Sequence, residues 1–184
     1  MIIGLYSSAP RMGKTTLANY LSKNHGFLKL SFASALKAMM QTFLSECGYP
    51  RKEIKEIMVK HKDEPFAMFD NQPFRKGLQT LGTEWGRSLS LDLWVHVMEN
   101  KLQIFEDRNI VIDDMRFPNE FNLLRDKGAL LVKVERPGVY YNKIHSSEGA
   151  LDDFPFHLVH VNSLSKVKSG RKFWEEVKKC GNYI

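Results

Sequence analysis

The stretch MIIGLYSSAPRMGKTT, residues 1–16, decides the fold. Its first part, Met1 to Tyr6, is a short uninterrupted apolar run, as expected of a strand buried on both faces in a parallel sheet. A loop of small residues follows and closes on Gly13-Lys14-Thr15-Thr16, after which Leu17, Ala18 and Leu21 fall at helical spacing. Strand, loop and helix in this order are the context that a Walker A phosphate-binding loop requires. Backbone N–H groups at the end of such a loop point at phosphate oxygens, and the dipole of the following helix favours negative charge there. Gly13 allows close approach, Lys14 reaches the β- and γ-phosphates, and the Thr15 hydroxyl is placed to ligate magnesium. The consensus opens with glycine, whereas this loop has Ser8, and Gly4 comes too early to serve. Serine at that point carries a conformational penalty if the position demands a positive φ.

Working outward, the chain alternates strand and helix. Strands are expected at Phe27–Phe32, Asn109–Asp113, Ala129–Glu135 and, shorter, His157–Asn162. Helices are expected at Ala33–Glu46, at Asn119–Asp126 with a stop at Lys127-Gly128, and from Leu164 to the end. Lys52–Asp70 reads as a helix and then a loop, with the apolar clusters Ile54/Ile57/Met58 and Phe66/Met68/Phe69 lacking an obvious partner within the chain. Those clusters make a homodimer plausible. Arg75–Leu102 reads as helical, broken near Gly82 and Gly86. Repeated βαβ units imply a mainly parallel sheet covered on both sides, a three-layer α/β domain spanning residues 1–184.

Composition bounds the rest. The 184 residues are 43% hydrophobic and 26% charged, with a net charge of +6. That suits one soluble domain, and no apolar run approaches the roughly 20 residues needed to span a bilayer. Cys47 and Cys180 are far apart, which excludes a zinc site or disulfide framework, and the amino terminus does not read as a secretory signal. A reducing, cytoplasmic setting is expected. The basic balance fits either nucleic acid or small phosphorylated ligands. The arginines occur singly beside glycines, prolines and strand ends (Arg11, Arg75, Arg87, Arg116, Arg136), which favours a phosphate pocket over a polymer-coating tract.

Two further segments carry chemistry. The strand NIVID runs into Asp113-Asp114-Met115-Arg116, where a carboxylate at a strand end orients magnesium or its water; one of Asp113 and Asp114 faces the pocket. The segment RKGLQTLGTEWGR, residues 75–87, sets Arg75 and Arg87 around Gln79 and Trp85. Those groups suit an acceptor with its own phosphate and an aromatic base: guanidinium forks for phosphate, an amide for the base edge, a ring for stacking. Trp85 serves equally as a core residue. Asn162 either lines the base pocket of the nucleotide or starts a turn. Arg136 opens the polar loop RPGVYYNKIHSSEGAL, which would close over the triphosphate and which contains His145.

GLYSSAPRMGKTTLA, SFASALK, RKGLQTLGTEWGR with Asp92-Leu93-Trp94-Val95, IVIDDMRFPNEF, VKVERPG, HSSEGAL and VNSLSKV occur in the order seen in phage-type deoxynucleoside monophosphate kinases, which the chain resembles from end to end. The resemblance implies the nucleoside monophosphate kinase variant of the P-loop NTPase fold, with a parallel sheet of about five strands. It also implies a helical acceptor-binding region over about residues 50–105 and a lid-like loop over 136–156. ATP and Mg2+ would be the cofactors, with Arg11, Met12, Gly13, Lys14, Thr15, Thr16 and Asn162 on the donor side and Thr15 and Asp114 at the metal. Arg75, Gln79, Trp85, Arg87 and Arg116 would address the acceptor, and Lys14, Arg87, Asp114 and Arg136 would assist transfer. The partners implied are small nucleotides, with no stable nucleic-acid partner and no membrane, in the host cytoplasm if the chain is phage-encoded. Two rival readings are a P-loop kinase for another phosphorylated acceptor, of the phosphomevalonate type, and a nucleic-acid-linked P-loop ATPase.

Overall fold

A computed structural model of the chain describes residues 1–139, 149–163 and 165–180. Among these, five strands form one sheet, parallel throughout, in the order β2-β3-β1-β4-β5. They are β1 (Ile2–Tyr6), β2 (Leu28–Leu30), β3 (Ile110–Ile112), β4 (Leu130–Glu135) and β5 (Leu158–Val161). The helices are α1 (Lys14–His25), α2 (Ser34–Glu46), α3 (Arg51–Val59), α4 (Phe74–Gln79), α5 (Gly86–Leu89), α6 (Leu93–Ile104), α7 (Pro118–Asp126) and α8 (Lys166–Cys180). The expected three-layer α/β fold with five parallel strands is therefore the observed one.

The burial of each strand follows its place in the sheet. β1 is central, and Ile3, Leu5 and Tyr6 are fully buried; β3 is buried along its length. Strands covered on both faces need no polar alternation, which is why both read as plain apolar runs. β2 and β5 lie at the edges, where β2 is only half-buried and β5 exposes alternate residues. From β1 the sheet extends to β3 and β2 on one side and to β4 and β5 on the other. The carboxyl end of β1 is thus a topological switch point, where open α/β sheets form a ligand crevice.

The chain divides into two compact units, one of Met1–Phe32 with Met98–Ile184, the other of Ala33–Val97. The first holds the sheet. Its core joins Leu17, Ala18 and Leu21 of α1 to Val132 and Val134 of β4 and to Phe173 and Val177 of α8. The second is built on Met40, Leu44, Ile54, Ile57 and Phe74, with Tyr49, Met58, Phe66, Phe69, Leu78 and Leu81 packed around them.

Two expectations are corrected here. The apolar residues of 52–70 are partnered inside the second unit: Ile54 and Ile57 are buried, and Phe66 and Phe69 pack edge-on and stacked against Phe74. Apart from Met68, which is 47% exposed, the clusters that suggested a homodimer are covered within the chain. Gly82 and Gly86 do not break the helix either. The backbone passes from α4 through a π-helical stretch, Thr80–Trp85, directly into α5, and helical geometry ends only at Ser90. Glycine is used at 86 for closeness: a Cβ there would lie 2.5 Å from the Trp94 ring.

Phe74 is fully buried against the rings of Phe66 and Phe69, so Phe74→Ala should cost about 3–5 kcal/mol. Urea unfolding followed by circular dichroism measures that loss.

Candidate active site

The loop between β1 and α1 has the shape that phosphate binding needs. Gly13 stands at the N-terminus of α1 with φ +105°, a backbone state that favours glycine. Arg11 is the other loop residue with positive φ, at 63°, and is exposed. Ser8 is not among the positive-φ residues, so the expected penalty for replacing the first glycine does not arise there. Its hydroxyl instead donates to Asp152 Oδ1. The same oxygen accepts from the Tyr6 hydroxyl at 3.0 Å, and Lys133 Nζ donates to the Asp152 carbonyl at 3.1 Å. Burial and the neighbouring Asp152 carboxylate push the Tyr6 phenol well above its ordinary range, so it stays a neutral donor.

Lys14 opens α1 and donates to Ser7 Oγ, which in turn donates to the Ala9 carbonyl at 2.7 Å. Its pKa is lowered to about 8, first by desolvation and then by the positive charge of Arg116, while Asp113 and Asp114 pull the other way. The structure thus brings Lys14, Asp113, Asp114 and Arg116 within electrostatic reach of one another at the carboxyl ends of β1 and β3. Thr15 is exposed on the first turn of α1, Thr16 is half-buried, and Met12 is buried.

The two carboxylates after β3 do different work. Asp113 is buried and forms an ion pair with Lys29 of β2 at 2.8 Å. Asp114 accepts the Phe32 backbone N–H at 2.9 Å and the Ser31 hydroxyl, fixing the end of β2 against the end of β3. The start of α7 is held by a third carboxylate. Glu120, buried, reaches back to accept the N–H groups of Arg116 at 2.7 Å and Phe117 at 3.2 Å. Pro at the first helical position and Glu at the third form a sequence signature for this arrangement, and it holds the backbone that carries Arg116.

Asn162 lies beneath the loop. Its Nδ2 donates to the Met12 carbonyl at 2.8 Å, and a Cβ on Gly13 would sit 2.0 Å from that same nitrogen. Its amide is therefore spent on the loop backbone. Arg136 is exposed in the turn after β4, where its carbonyl accepts the Val139 N–H at 3.4 Å. His145 lies outside the described residues, as does the stretch 140–148 of the expected lid; the stretches 136–139 and 149–156 are described, and the latter carries Asp152.

The second unit carries the remaining predicted residues. Arg75, on α4, pairs through Nη2 with Asp63 Oδ2 at 3.0 Å and through Nε with Oδ1, which raises its pKa further. Gln79 ends α4. Trp85, 43% exposed, closes the π-helical stretch with its ring 6.5 Å from that of Trp94. Arg87 Nη1 donates to the Leu91 carbonyl at 3.2 Å. Trp94, which reads from sequence as a core residue, is buried and donates its indole N–H to the Gly82 carbonyl at 2.7 Å, within the widened turn. Wider turns of this kind recur at functional sites.

Among the described residues no three His, Cys, Asp or Glu side chains cluster as a metal cage, and no helix is long and apolar enough to cross a membrane. A family model for deoxynucleotide monophosphate kinase matches residues 50–165. The chain belongs to that family. A protein of Acanthamoeba polyphaga mimivirus, named as a candidate deoxynucleotide monophosphate kinase, is 32% identical over 184 residues, covering 91% of this chain and 90% of its own. The deoxynucleoside-5′-monophosphate kinase of Escherichia phage T5 is 42% identical over 86 residues, 44% of this chain and 34% of its own. The matched range of this deoxynucleotide kinase family member spans RKGLQTLGTEWGR and DDMRFPNE, so neither rival, the phosphomevalonate-type kinase nor the nucleic-acid-linked ATPase, is favoured. The phosphate loop precedes the matched range and stands on its own geometry.

Binding of a polyphosphate at Lys14 would be proton-linked. Above about pH 8 the unliganded lysine loses its proton, while phosphate oxygens favour the ammonium. Binding at about pH 9 should therefore take up close to one proton, and affinity should fall as pH rises past about 8. Calorimetry in buffers of different ionisation enthalpy reads that uptake directly. The stability term has the opposite sign: the unfolded chain holds this proton up to 10.5, so Lys14 opposes folding below about 8 and ceases to as pH rises.

Proposed function

We propose that the protein transfers the γ-phosphoryl group of ATP to a deoxynucleoside 5′-monophosphate, yielding ADP and the deoxynucleoside diphosphate. Membership of the deoxynucleotide monophosphate kinase family carries this reading, and the desolvated lysine of the phosphate loop supports it on the donor side. An oxygen of the acceptor phosphate attacks the γ-phosphorus in line, and the bond to the β,γ-bridging oxygen breaks. The acceptor oxygen is already anionic at neutral pH, so no strong base is required. Positioning and charge neutralisation supply the catalysis.

In this reading the backbone from Arg11 to Gly13, together with Lys14, Thr15 and Thr16, binds the triphosphate. Lys14 is the group best suited to the transition state. Its charge is partly stripped of water, so added negative charge on the phosphoryl oxygens is stabilised more strongly than it would be in bulk solvent. Asn162 contributes through the loop it holds. Hard oxygen donors are what magnesium prefers, and Thr15 with Asp114 would hold it, completed by water and phosphate oxygens; bound there, it would screen the β- and γ-phosphates. Asp114 also fixes the exit of β2, and Asp113 is partnered by Lys29, so the carboxylate pair is oriented in advance.

On the acceptor side, Arg75 and Arg87 offer guanidinium forks to the monophosphate, Gln79 an amide to the base and Trp85 a ring for stacking. Arg116 shares the electrostatic field of Lys14 and suits the phosphate being transferred. Arg136 serves the donor side. Exclusion of water by the 136–156 loop would protect ATP from hydrolysis.

Lys14→Ala should lower kcat at least about a hundredfold while the protein stays folded, with a thermal unfolding midpoint at neutral pH no lower than that of the wild type. A coupled assay for ADP with a panel of deoxynucleoside and nucleoside monophosphates measures it, and turnover near wild type in that variant would refute the assignment. Arg75→Ala should raise the acceptor KM about tenfold, the loss of one charge-assisted contact, with little change in the KM for ATP.

A further inference from the structure

Behind the loop between β1 and α1, beyond Asn162, runs a series of polar groups, Ser169, His160 and Glu176, that the transfer mechanism does not use. The chain of bonds starts at the Met12 carbonyl, which accepts from Asn162 Nδ2 at 2.8 Å. Asn162 Oδ1 accepts from the Ser169 hydroxyl at 2.6 Å. Ser169 Oγ lies 3.3 Å from His160 Nε2, and His160 Nδ1 lies 2.5 Å from Glu176 Oε2. His160 is fully buried, Ser169 is 1% exposed and Asn162 9%, while the Glu176 side chain keeps 25% exposure, with Lys172 at 3.6 Å from its other oxygen. The ring of Phe173 covers His160 at 5.1 Å.

The direction of every bond in this chain is fixed by counting protons. A carbonyl only accepts, so Asn162 must turn its NH2 toward Met12 and its oxygen toward Ser169. Ser169 then spends its single proton on that oxygen. Its remaining lone pair can only receive, so His160 Nε2 carries a hydrogen. With Nε2 protonated, Nδ1 facing a carboxylate requires one more proton shared between ring and Glu176. Polarity set at the partly exposed end of α8 is thereby transmitted to the backbone of the loop.

We propose that Ser169, His160 and Glu176 are positioning residues for the donor nucleotide, acting through Asn162 to hold the Met12–Gly13 backbone in its phosphate-binding form. The proposal rests on the reading of this loop as the donor site. Ordinary core packing does not need such a chain, since a buried Ser–His–Glu series without partners would be costly and an apolar set would fill the space. Gly13 gives the chain its purchase, because the Asn162 amide occupies the place where any Cβ would stand.

The variants separate positioning from general support. Ser169→Ala leaves Asn162 Oδ1 without its donor and should raise the KM for ATP about tenfold, with the acceptor KM unchanged. Glu176→Gln restores the pattern, because its amide N–H can donate to Nδ1 and leave the hydrogen on Nε2, so the KM for ATP should stay within about twofold. Glu176→Ala lets the histidine adopt the other tautomer, turning Ser169 from donor to the amide into donor to the ring, and should resemble Ser169→Ala. A readout independent of turnover accompanies these: the 15N–1H resonances of Gly13 and Lys14 should move in Ser169→Ala and Glu176→Ala, while those of Gly77 and Gly82 stay in place. Unmoved Gly13 and Lys14 resonances, or equal rises in both KM values, overturn the proposal. If wild-type protein transfers no phosphoryl group yet the Gly13 resonance moves in Ser169→Ala, the kinase reading fails and the positioning chain stands.

Discussion

A lysine ammonium taken partly out of water governs the arrangement of the unit that holds the sheet. Lys14 cannot leave its place at the first residue of α1, because β1 delivers it there from the centre of the sheet. Desolvation and Arg116 both act against its charge, and Asp113 and Asp114 only partly offset them. A cation in that condition has an unmet demand for anionic partners, which is the property a phosphate site needs. The carboxylates that balance it are themselves restrained, Asp113 by Lys29 and Asp114 by Ser31 and the Phe32 amide. The restraints come from Lys29 of β2 and from Ser31 and Phe32 just after it, so this edge of the sheet, where the strand is short and only half-buried, contributes to the electrostatics as well as to the core.

The loop around this lysine is held from two sides by residues far along the chain. Asp152 takes the hydroxyls of Ser8 and Tyr6 at the loop's start, and Asn162 takes the Met12 carbonyl at its end. Arg11 and Gly13 both stand at positive φ, so the loop follows neither a helical nor a strand ladder of hydrogen bonds there. Support from outside is the alternative, and the serine that replaces the usual glycine gains an anchor that glycine would lack. Substitution of the consensus residue therefore changes how the loop is secured and leaves its phosphate-facing end intact.

Much of this was legible in the sequence. Apolar runs without alternation gave away β1 and β3, because central parallel strands are buried on both faces, and Leu17, Ala18 and Leu21 marked the inner face of α1. The phosphate loop was readable because strand, glycine, lysine and helix must be contiguous. What escaped was contact across sequence distance. Nothing local to Asn162 says that its amide meets Met12, 150 residues away, and nothing in HLVHVN marks His160 as bonded to α8. The unpartnered appearance of Ile54, Phe66 and Phe69 had the same origin, since Phe74 and Met40 supply their contacts from other elements. Gly82 and Gly86 misled for a different reason: glycine has low helix propensity, but here the cost is outweighed by close packing against Leu36 and Trp94.

The unit of residues 33–97 shows how short helices can hold side chains in fixed directions. α4 has six residues and α5 four, too few to be stable alone. Their order comes instead from Phe66, Phe69 and Phe74 packed ring on ring at one end, and from Trp94 at the other, whose indole N–H satisfies the Gly82 carbonyl. Between these two anchors the backbone widens by one residue per turn, which rotates Trp85 and Arg87 relative to Arg75 and Gln79 away from the register that an unbroken α-helix would impose. A sequence periodicity of 3.6 would have put these groups on faces they do not occupy. The tryptophan that anchors the widened turn is therefore as much a determinant of where Trp85 and Arg87 stand as the sequence of the turn itself.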